Sequence, residues 1–328
     1  MLASRDELDA RSRSNGLVTP SFSIGVPAFK GAYLRECIDS ILLQTVPDFE
    51  LIVVNDASPD PVRDIVRSYA DERIRYHENA ENIGAENVVR NWNRCLDYAR
   101  GRFFVLMGDD DKMTPAYLEA FQHLIDKYPT LDVYHCRSRI LDSASRPIQL
   151  TPSWAEYETV YDLIWHRVAS NRQLFVSDFM YRTESLKAVN GFFPTPLAWA
   201  ADSLTAYVLC ADKGIAHTNE PVFCYRRNPH TISSTGNVEL KIKAIRMRDD
   251  WLREFLKAVP ENENDRILHQ DLCNNLARHS GRLQMQTLAR GFDAGLFPGL
   301  RTCARVRRRF GVSNTVLLGA FLKHFRLR

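Results

Sequence analysis

The hydrophobic positions of this chain fall into two kinds of segment that take turns. Ser21-Phe22-Ser23-Ile24-Gly25-Val26-Pro27 and Phe49-Glu50-Leu51-Ile52-Val53-Val54-Asn55-Asp56 are short apolar runs of strand type, whereas Leu34, Ile38, Ile41 and Leu42 recur at helical spacing between Ala32 and Leu43. The same order continues with a helix from Pro61 to Ala70, a short strand from Arg73 to His77, a helix from about Glu86 to Ala99 and a strand beginning at Phe103. Strands alternating with helices predict a mostly parallel sheet covered by helices on both faces. Ligands of such sheets bind beyond the carboxyl ends of the strands, so Asp56 and Asp109 to Asp111 are expected to converge on one crevice.

The run Phe103-Phe104-Val105-Leu106-Met107-Gly108 ends in Asp109-Asp110-Asp111. Three adjacent carboxylates repel one another, and a divalent cation of the magnesium or manganese type, holding a substrate diphosphate, would neutralise them. The plainer reading is a solvated acidic turn before a helix with Thr114 as N-cap and Pro115 at its first position.

The 328 residues and 45% hydrophobic content allow one large domain and a smaller one. No apolar run reaches the ~20 residues of a membrane span. Residues 1–20 are polar and read as a disordered lead-in without a signal-type stretch, so a cytoplasmic protein is expected. The seven cysteines contain no Cys-x-x-Cys pair and read as buried thiols, with neither zinc nor disulfides. The net charge of +3 hides an asymmetry: eight Lys or Arg and no acid lie between Arg301 and Arg328, which leaves the other residues at −5. In that tail Val316, Leu317, Leu318, Ala320, Phe321, Leu322 and Phe325 form an apolar set among Arg307, Arg308, Arg309, Lys323, Arg326 and Arg328. The pattern suits peripheral contact with an anionic membrane, or packing on its own domain or another subunit. Nucleic acid is not expected, because no aromatic residues interleave with the basic run on a sheet face and no recognised nucleic-acid motif is present.

Three motifs in order, SFSIGVPAFKGAYLRECIDSILLQT, FELIVVNDAS and ENIG with NWNRCLDYARGRFFVLMGDDDKMTP, resemble those of the family 2 glycosyltransferases. The resemblance runs from Ser21 to about Ser234. It implies the GT-A fold over residues 21–237, with a helical region over 238–328 that includes helices at Trp251 to Val259 and from Asp265 to about Arg290. Two departures are visible. Ala85 to Arg90 is a few residues longer than in many similar sequences, and Gly108-Asp109-Asp110-Asp111 stands where many have Asp-x-Asp-Asp.

The resemblance implies Pro27 and Phe29 along the base and ribose of a nucleotide, and Asp56 accepting from the imide N–H of uracil or thymine. Asp56 also fits an ordinary turn-former in Asn-Asp-Ala-Ser. Asn82, Gly84, Arg90, Asn91, Trp92 and Asn93 would line the donor pocket, although Trp92 also fits a helix core. Asp109 would meet the ribose or metal-bound water, and Asp110 the cation; Asp111 is a further metal candidate or a brace for the next turn. Asp202 matches the family's general base at a helix start, with Ala201 where a first acid often stands; a simple cap is the other reading. Arg226, Arg227 and His230 are candidates to neutralise the leaving diphosphate. Trp154, Tyr157, Trp165 and Trp199 suit either an acceptor sugar or the core.

The implied activity is a metal-dependent, inverting hexosyl transfer from a nucleotide-diphosphate sugar, UDP-linked by preference, to a saccharide or lipid-linked acceptor in bacterial surface polysaccharide assembly. A dinucleotide-dependent oxidoreductase would need Gly-x-Gly-x-x-Gly where the chain has Pro27-Ala28-Phe29-Lys30-Gly31. A sugar-phosphate nucleotidyltransferase would need a Gly-rich phosphate loop there. Ala201 keeps open a non-catalytic donor-binding or scaffold role.

Overall fold

The computed structural model describes residues 19–169, 171–228 and 237–326. The expected lead-in lies almost wholly outside them. Strands β1 (Phe22–Ala28), β2 (Phe49–Asn55), β3 (Ile74–Glu78) and β4 (Phe103–Leu106) alternate with helices α1 (Leu34–Leu42), α2 (Val62–Arg67) and α3 (Val88–Tyr98). β5 (Lys112–Met113), α4 (Tyr117–Lys127), β6 (Val133–Leu141), β7 (Pro147–Leu150), β8 (Tyr157–Glu158) and α5 (Val160–Val168) follow. Then come β9 (Phe179–Arg182), α6 (Thr183–Ala188), α7 (Ala201–Cys210) and β10 (Ile215–Arg226). Helices α8 (Val238–Phe255), α9 (Glu263–Arg290), α10 (Leu296–Phe310) and α11 (Asn314–Arg326) complete the chain.

The strands join one sheet in the order β3-β2-β1-β4-β9-β6-β10-β5, with β7 beside β6 and β8 beside β10. β3 to β4 are parallel, as is β6 with β10, while β9 and β5 run antiparallel to their neighbours. The chain leaves β1 for β2 on one side and returns to β4 on the other. That reversal opens a crevice above the carboxyl ends of β1 and β4. Every residue of β2 is buried, Glu50 included. Its carboxylate is taken up by Ser23 Oγ at 2.6 Å, Arg75 at 2.7 Å and the Arg100 amide at 2.7 Å, which explains a charge inside an apolar strand.

One sheet face packs Leu34, Ile38, Val62, Leu118 and Phe121 from α1, α2 and α4. The other packs Leu96, Leu163, Leu204, Leu252 and Leu276, so α8 and α9 share a core with the sheet. A third cluster joins Ile242, Ile245, Leu288, Phe292, Val306 and Ala320, which docks both tail helices onto α8 and α9. The tail's apolar set therefore divides. Ala320 is buried and Val316, Leu317 and Phe321 pack on the cluster, while Leu318, Leu322 and Phe325 stay exposed.

The expected cap at Thr114 and Pro115 is corrected. α4 begins at Tyr117 with Ala116 as N-cap, because Lys112 and Met113 pair with β10 and the Thr114 amide donates to Val222 O at 2.8 Å. Six cysteines are buried, Cys273 is exposed, and all seven are free. Among the described residues no helix is long and apolar enough to cross a membrane.

Candidate active site

A cleft of about 670 Å³ opens over the carboxyl ends of β1, β2 and β4. Pro27, Phe29, Asp56, Asn82, Gly84, Trp92, Asp109, Asp110, Asp111 and Asp202 all line it, so residues spread over most of the chain meet at one place. Asp56 follows β2 and is buried, and its amide is tied to Ala28 O at 2.9 Å. Oδ1 of Asp56 accepts from Asn79 Nδ2 at 2.7 Å and from the Ile83 amide at 3.0 Å. Its Oδ2 has only a long contact, 3.4 Å, with Asn82 Nδ2. One oxygen is thus held in place while the other keeps acceptor capacity.

The acidic loop after β4 is asymmetric. Oδ2 of Asp109 accepts from the Phe29 and Lys30 amides at 2.8 and 2.7 Å, which fastens the loop to the end of β1. Oδ1 of Asp111 accepts from the Arg226 amide at 2.8 Å, fastening it to β10. The Asp110 carboxylate receives no hydrogen bond from another side chain or amide among the described residues, and it faces the cleft. A Cβ on Gly108 would come within 2.7 Å of Asp111 Oδ2, so glycine there gives the carboxylates their room. Burial, followed by the charge of Asp110, pushes Asp109 up to about 6. Burial first and then Asp110 and Asp109 push Asp111 well above the usual carboxylate range, and burial raises Asp110 against the pull of Lys30 and Arg226.

Arg226 and Arg227 do not line the cleft. Arg226 is fully buried behind the loop: Nε donates to Asp110 O at 2.7 Å, and the other nitrogens to Ser145 Oγ at 2.8 Å and Glu36 Oε2 at 3.1 Å. Its guanidinium lies 4.0 Å over the Tyr33 ring. Arg227 is exposed and donates to Gln149 Oε1 at 3.2 Å. His230 lies outside the described residues. Arg90, Asn91 and Asn93 also stay out of the cleft. Arg90 is exposed, Asn91 Oδ1 accepts from Asn79, and Asn93 Oδ1 accepts from the Phe192 amide at 2.9 Å. Of the aromatic residues, Trp199 lines the cleft; Trp154 stacks on His135 at 3.9 Å, Trp165 donates to Asp271 at 2.8 Å and Tyr157 to Lys213 O at 2.9 Å.

Asp202 stands in the first turn of α7, after a bent segment in which Leu197, Ala198 and Ala200 have φ of 58°, 50° and 67°. Its Oδ1 accepts from the Ser203 amide at 2.6 Å and from Ser203 Oγ at 3.2 Å, leaving Oδ2 open to the cleft. Burial raises its pKa, opposed by the charge of Arg167. Sequence reasoning missed Lys30, Arg167, Tyr207, Arg248, His279 and Arg282, all of which line the cleft. Lys30 stands in the first motif beside Phe29 and Tyr207 follows Asp202 on α7, whereas Arg167, Arg248, His279 and Arg282 lie in segments without a motif, and only the packing of α5, α8 and α9 brings them there.

The strand order, the crevice and the acidic loop define an α/β fold of the GT-A type. Of solved structures, S. aureus TarS 1–349 in complex with UDP-GlcNAc superposes with TM-score 0.62 at 20% identity, covering 93% of this chain and 88% of that one. The mannosyltransferase PcManGT of Pyrobaculum calidifontis, in complex with GDP-Man and Mn²⁺, gives 0.52 at 19% identity, covering 93% and 87%. Residues 23–186 match the model of Glycosyl transferase family 2, half of the chain, and the protein belongs to that family. Similar proteins include the uncharacterized glycosyltransferase EpsJ of Bacillus subtilis, 28% identical over 65% of this chain and 63% of EpsJ. An uncharacterized glycosyltransferase of Rickettsia typhi is 33% identical over 40% of each chain, and the putative teichuronic acid biosynthesis glycosyltransferase TuaG of B. subtilis is 37% identical over 30% and 40%. These alignments span less than two thirds of each relative.

Proposed function

We propose that the protein transfers a sugar from a nucleotide-diphosphate donor, UDP-linked by preference, to a hydroxyl of a saccharide or lipid-linked saccharide, with inversion at the anomeric carbon. The observation that carries this reading is that one cleft holds both an acidic loop at the sheet's carboxyl edge and an aspartate with an open oxygen at a helix start. Asp56 would take the imide N–H of the base on Oδ2, with Phe29 beside the ring. Asp202 would accept the proton of the attacking hydroxyl on Oδ2, while Ser203 holds the carboxylate in line. One displacement from an α-linked donor yields a β-linked product.

The loop chemistry fits a divalent cation. All three carboxylates are raised by burial, Asp109 and Asp111 also by the charge of Asp110, and no three metal-ligating groups cluster among the described residues. Asp110 and Asp111 would hold the ion, as hard oxygen donors suited to magnesium or manganese. When bound it supplies charge to the leaving diphosphate. The solved structure with GDP-Man and Mn²⁺ supports this choice, and the name of TuaG supports a setting in surface polysaccharide assembly.

The test is Asp202→Asn. Asp202 does not cap α7, whose N-cap is Ala200, so the variant keeps the shape and the contact with Ser203 but removes the proton acceptor, and transfer should fall by ~10²- to 10⁴-fold with UDP affinity retained. Transfer at the wild-type rate, or an α-product from an α-linked donor, would sink the mechanism. A protein that binds UDP with manganese yet neither hydrolyses nor transfers any donor would favour the scaffold role.

A further inference from the structure

The charges around the cleft divide into two zones. The cations acting on Asp110 and Asp111 are Lys30 and Arg226. Arg167 acts instead on Asp202, and both Arg167 and Arg248 act on the buried phenol of Tyr207. Arg248 comes from α8, and His279 and Arg282 come from α9; with Arg167 at the end of α5 they line the part of the cleft shared with Asp202 and Tyr207. His279 is pushed down by burial and then by Arg278 and Arg282, a sign of crowded positive charge.

These cations are incompletely matched by the protein. Arg248 is paired with the buried Asp249 at 2.6 Å, and Asp271 is occupied by Trp165 and Asn275. Arg167, by contrast, has a buried Nε with no hydrogen-bond partner, and its side chain makes no hydrogen bond or ion pair among the described residues. Arg282 is likewise without either, and exposed to the cleft. The Tyr207 hydroxyl is buried and unpartnered too. A buried guanidinium N–H left without an acceptor costs a free energy that a bound oxyanion would recover. Arginine is suited to that match by its planar fork.

Resting on the transferase reading above, we infer that the acceptor carries an oxyanion, a phosphate or carboxylate near the attacked hydroxyl, bound by Arg167 and Arg282 with Tyr207 beside Asp202. The donor end would then be acidic and read through a cation, and the acceptor end basic and read directly. The two substrates are kept in register by opposite charge.

The experiment titrates the full chain with glycerol phosphate, glucuronate and neutral glycerol, each with and without UDP and manganese, by calorimetry. Wild type should bind one of the anions at least about tenfold more tightly than glycerol, and Arg282→Glu or Arg167→Met should erase most of that margin. Arg282 is exposed, so its variant keeps the test alive if Arg167→Met fails to fold. Tighter binding of glycerol phosphate assigns a phosphorylated acceptor, and tighter binding of glucuronate an acidic sugar. Equal affinity for glycerol and both anions would overturn the inference. So would a loss of UDP affinity in the variants as large as the loss of anion affinity, which would move the arginines to the donor. Absence of UDP binding by wild type would instead count against the transferase reading, while the titrations without UDP still decide the charge preference.

Discussion

Arg226→Met should destabilise the protein without taking a ligand from the diphosphate. The guanidinium is fully buried and gives hydrogen bonds to Asp110 O, Ser145 Oγ and Glu36 Oε2, with a cation–π contact to Tyr33 at 4.0 Å. Removing one partner of a buried pair costs ~3–5 kcal/mol. Glu36 is 42% exposed and rehydrates, which holds the loss near the lower end, about 3–4 kcal/mol. Methionine keeps much of the stem's packing, so little is added by a cavity. At roughly 2 °C per kcal/mol for a chain of this length, melting should fall by about 6–8 °C. Glu36→Gln should cost less, about 1 kcal/mol. The assay is thermal and urea unfolding beside calorimetric titration of UDP with manganese at low temperature. A variant that melts within about 2 °C of wild type and loses tenfold or more in UDP affinity would refute this account and put Arg226 on the diphosphate.

Three further predictions follow from other parts of the molecule. Gly108→Ala puts a Cβ within 2.7 Å of Asp111 Oδ2, so manganese-dependent UDP affinity should fall by about tenfold or more in a protein that still melts near wild type; unchanged affinity would mean that the carboxylates need no such room. Burial pushes His217 down to about 3 from 6.5, so the unfolded chain binds a proton that the folded one refuses, and this part of the stability is complete above pH 6.5 and lost as pH falls toward 3. Its slope is up to ~1.4 kcal/mol per pH unit, and His217→Gln should flatten urea midpoints between pH 6.5 and 4; an unaltered slope would assign the acid sensitivity elsewhere. Leu318→Glu with Leu322→Glu should weaken binding to anionic liposomes while leaving melting unchanged, because both side chains are exposed; equal liposome binding would leave the basic tail as a packing element alone.

The strand ends were legible because they are local. An apolar run stopping at Asp56 or Asp109 announces both the strand and the acid at its edge. The helix after Gly84 was harder, since consecutive helical residues point about 100° apart and cannot all face one pocket. Trp92 turns to the cleft, so its neighbours Asn91 and Asn93 turn aside and pin Asn79 and the Phe192 amide. Arg226 was expected at the diphosphate because its strand resembles the one that, in the family, leads into the loop over the donor. Its position in β10 aims it behind the acidic loop, and only the pairing of that strand with β5 and β6 reveals this. Arg167, Arg248 and Arg282 were invisible because their helices have no motif, and their meeting depends on how α5, α8 and α9 pack.

The bend before α7 ties these parts together. Three non-glycine residues in the left-handed region cost ~1–2 kcal/mol each, so Leu197, Ala198 and Ala200 persist only where their surroundings hold them. Trp199, between them, packs on the third core cluster and lies under the ammonium of Lys241 at 4.8 Å. Lys241 is buried, and burial pushes its pKa down to about 8. The anchor of the bend is therefore α8, the helix that also carries Arg248. The position of Asp202 and the shape of the basic end of the cleft depend on the same packed helices. A change in how α8 sits would move the proposed base and the acceptor's anion site together, which gives the C-terminal helices a role in the site and not only in the fold.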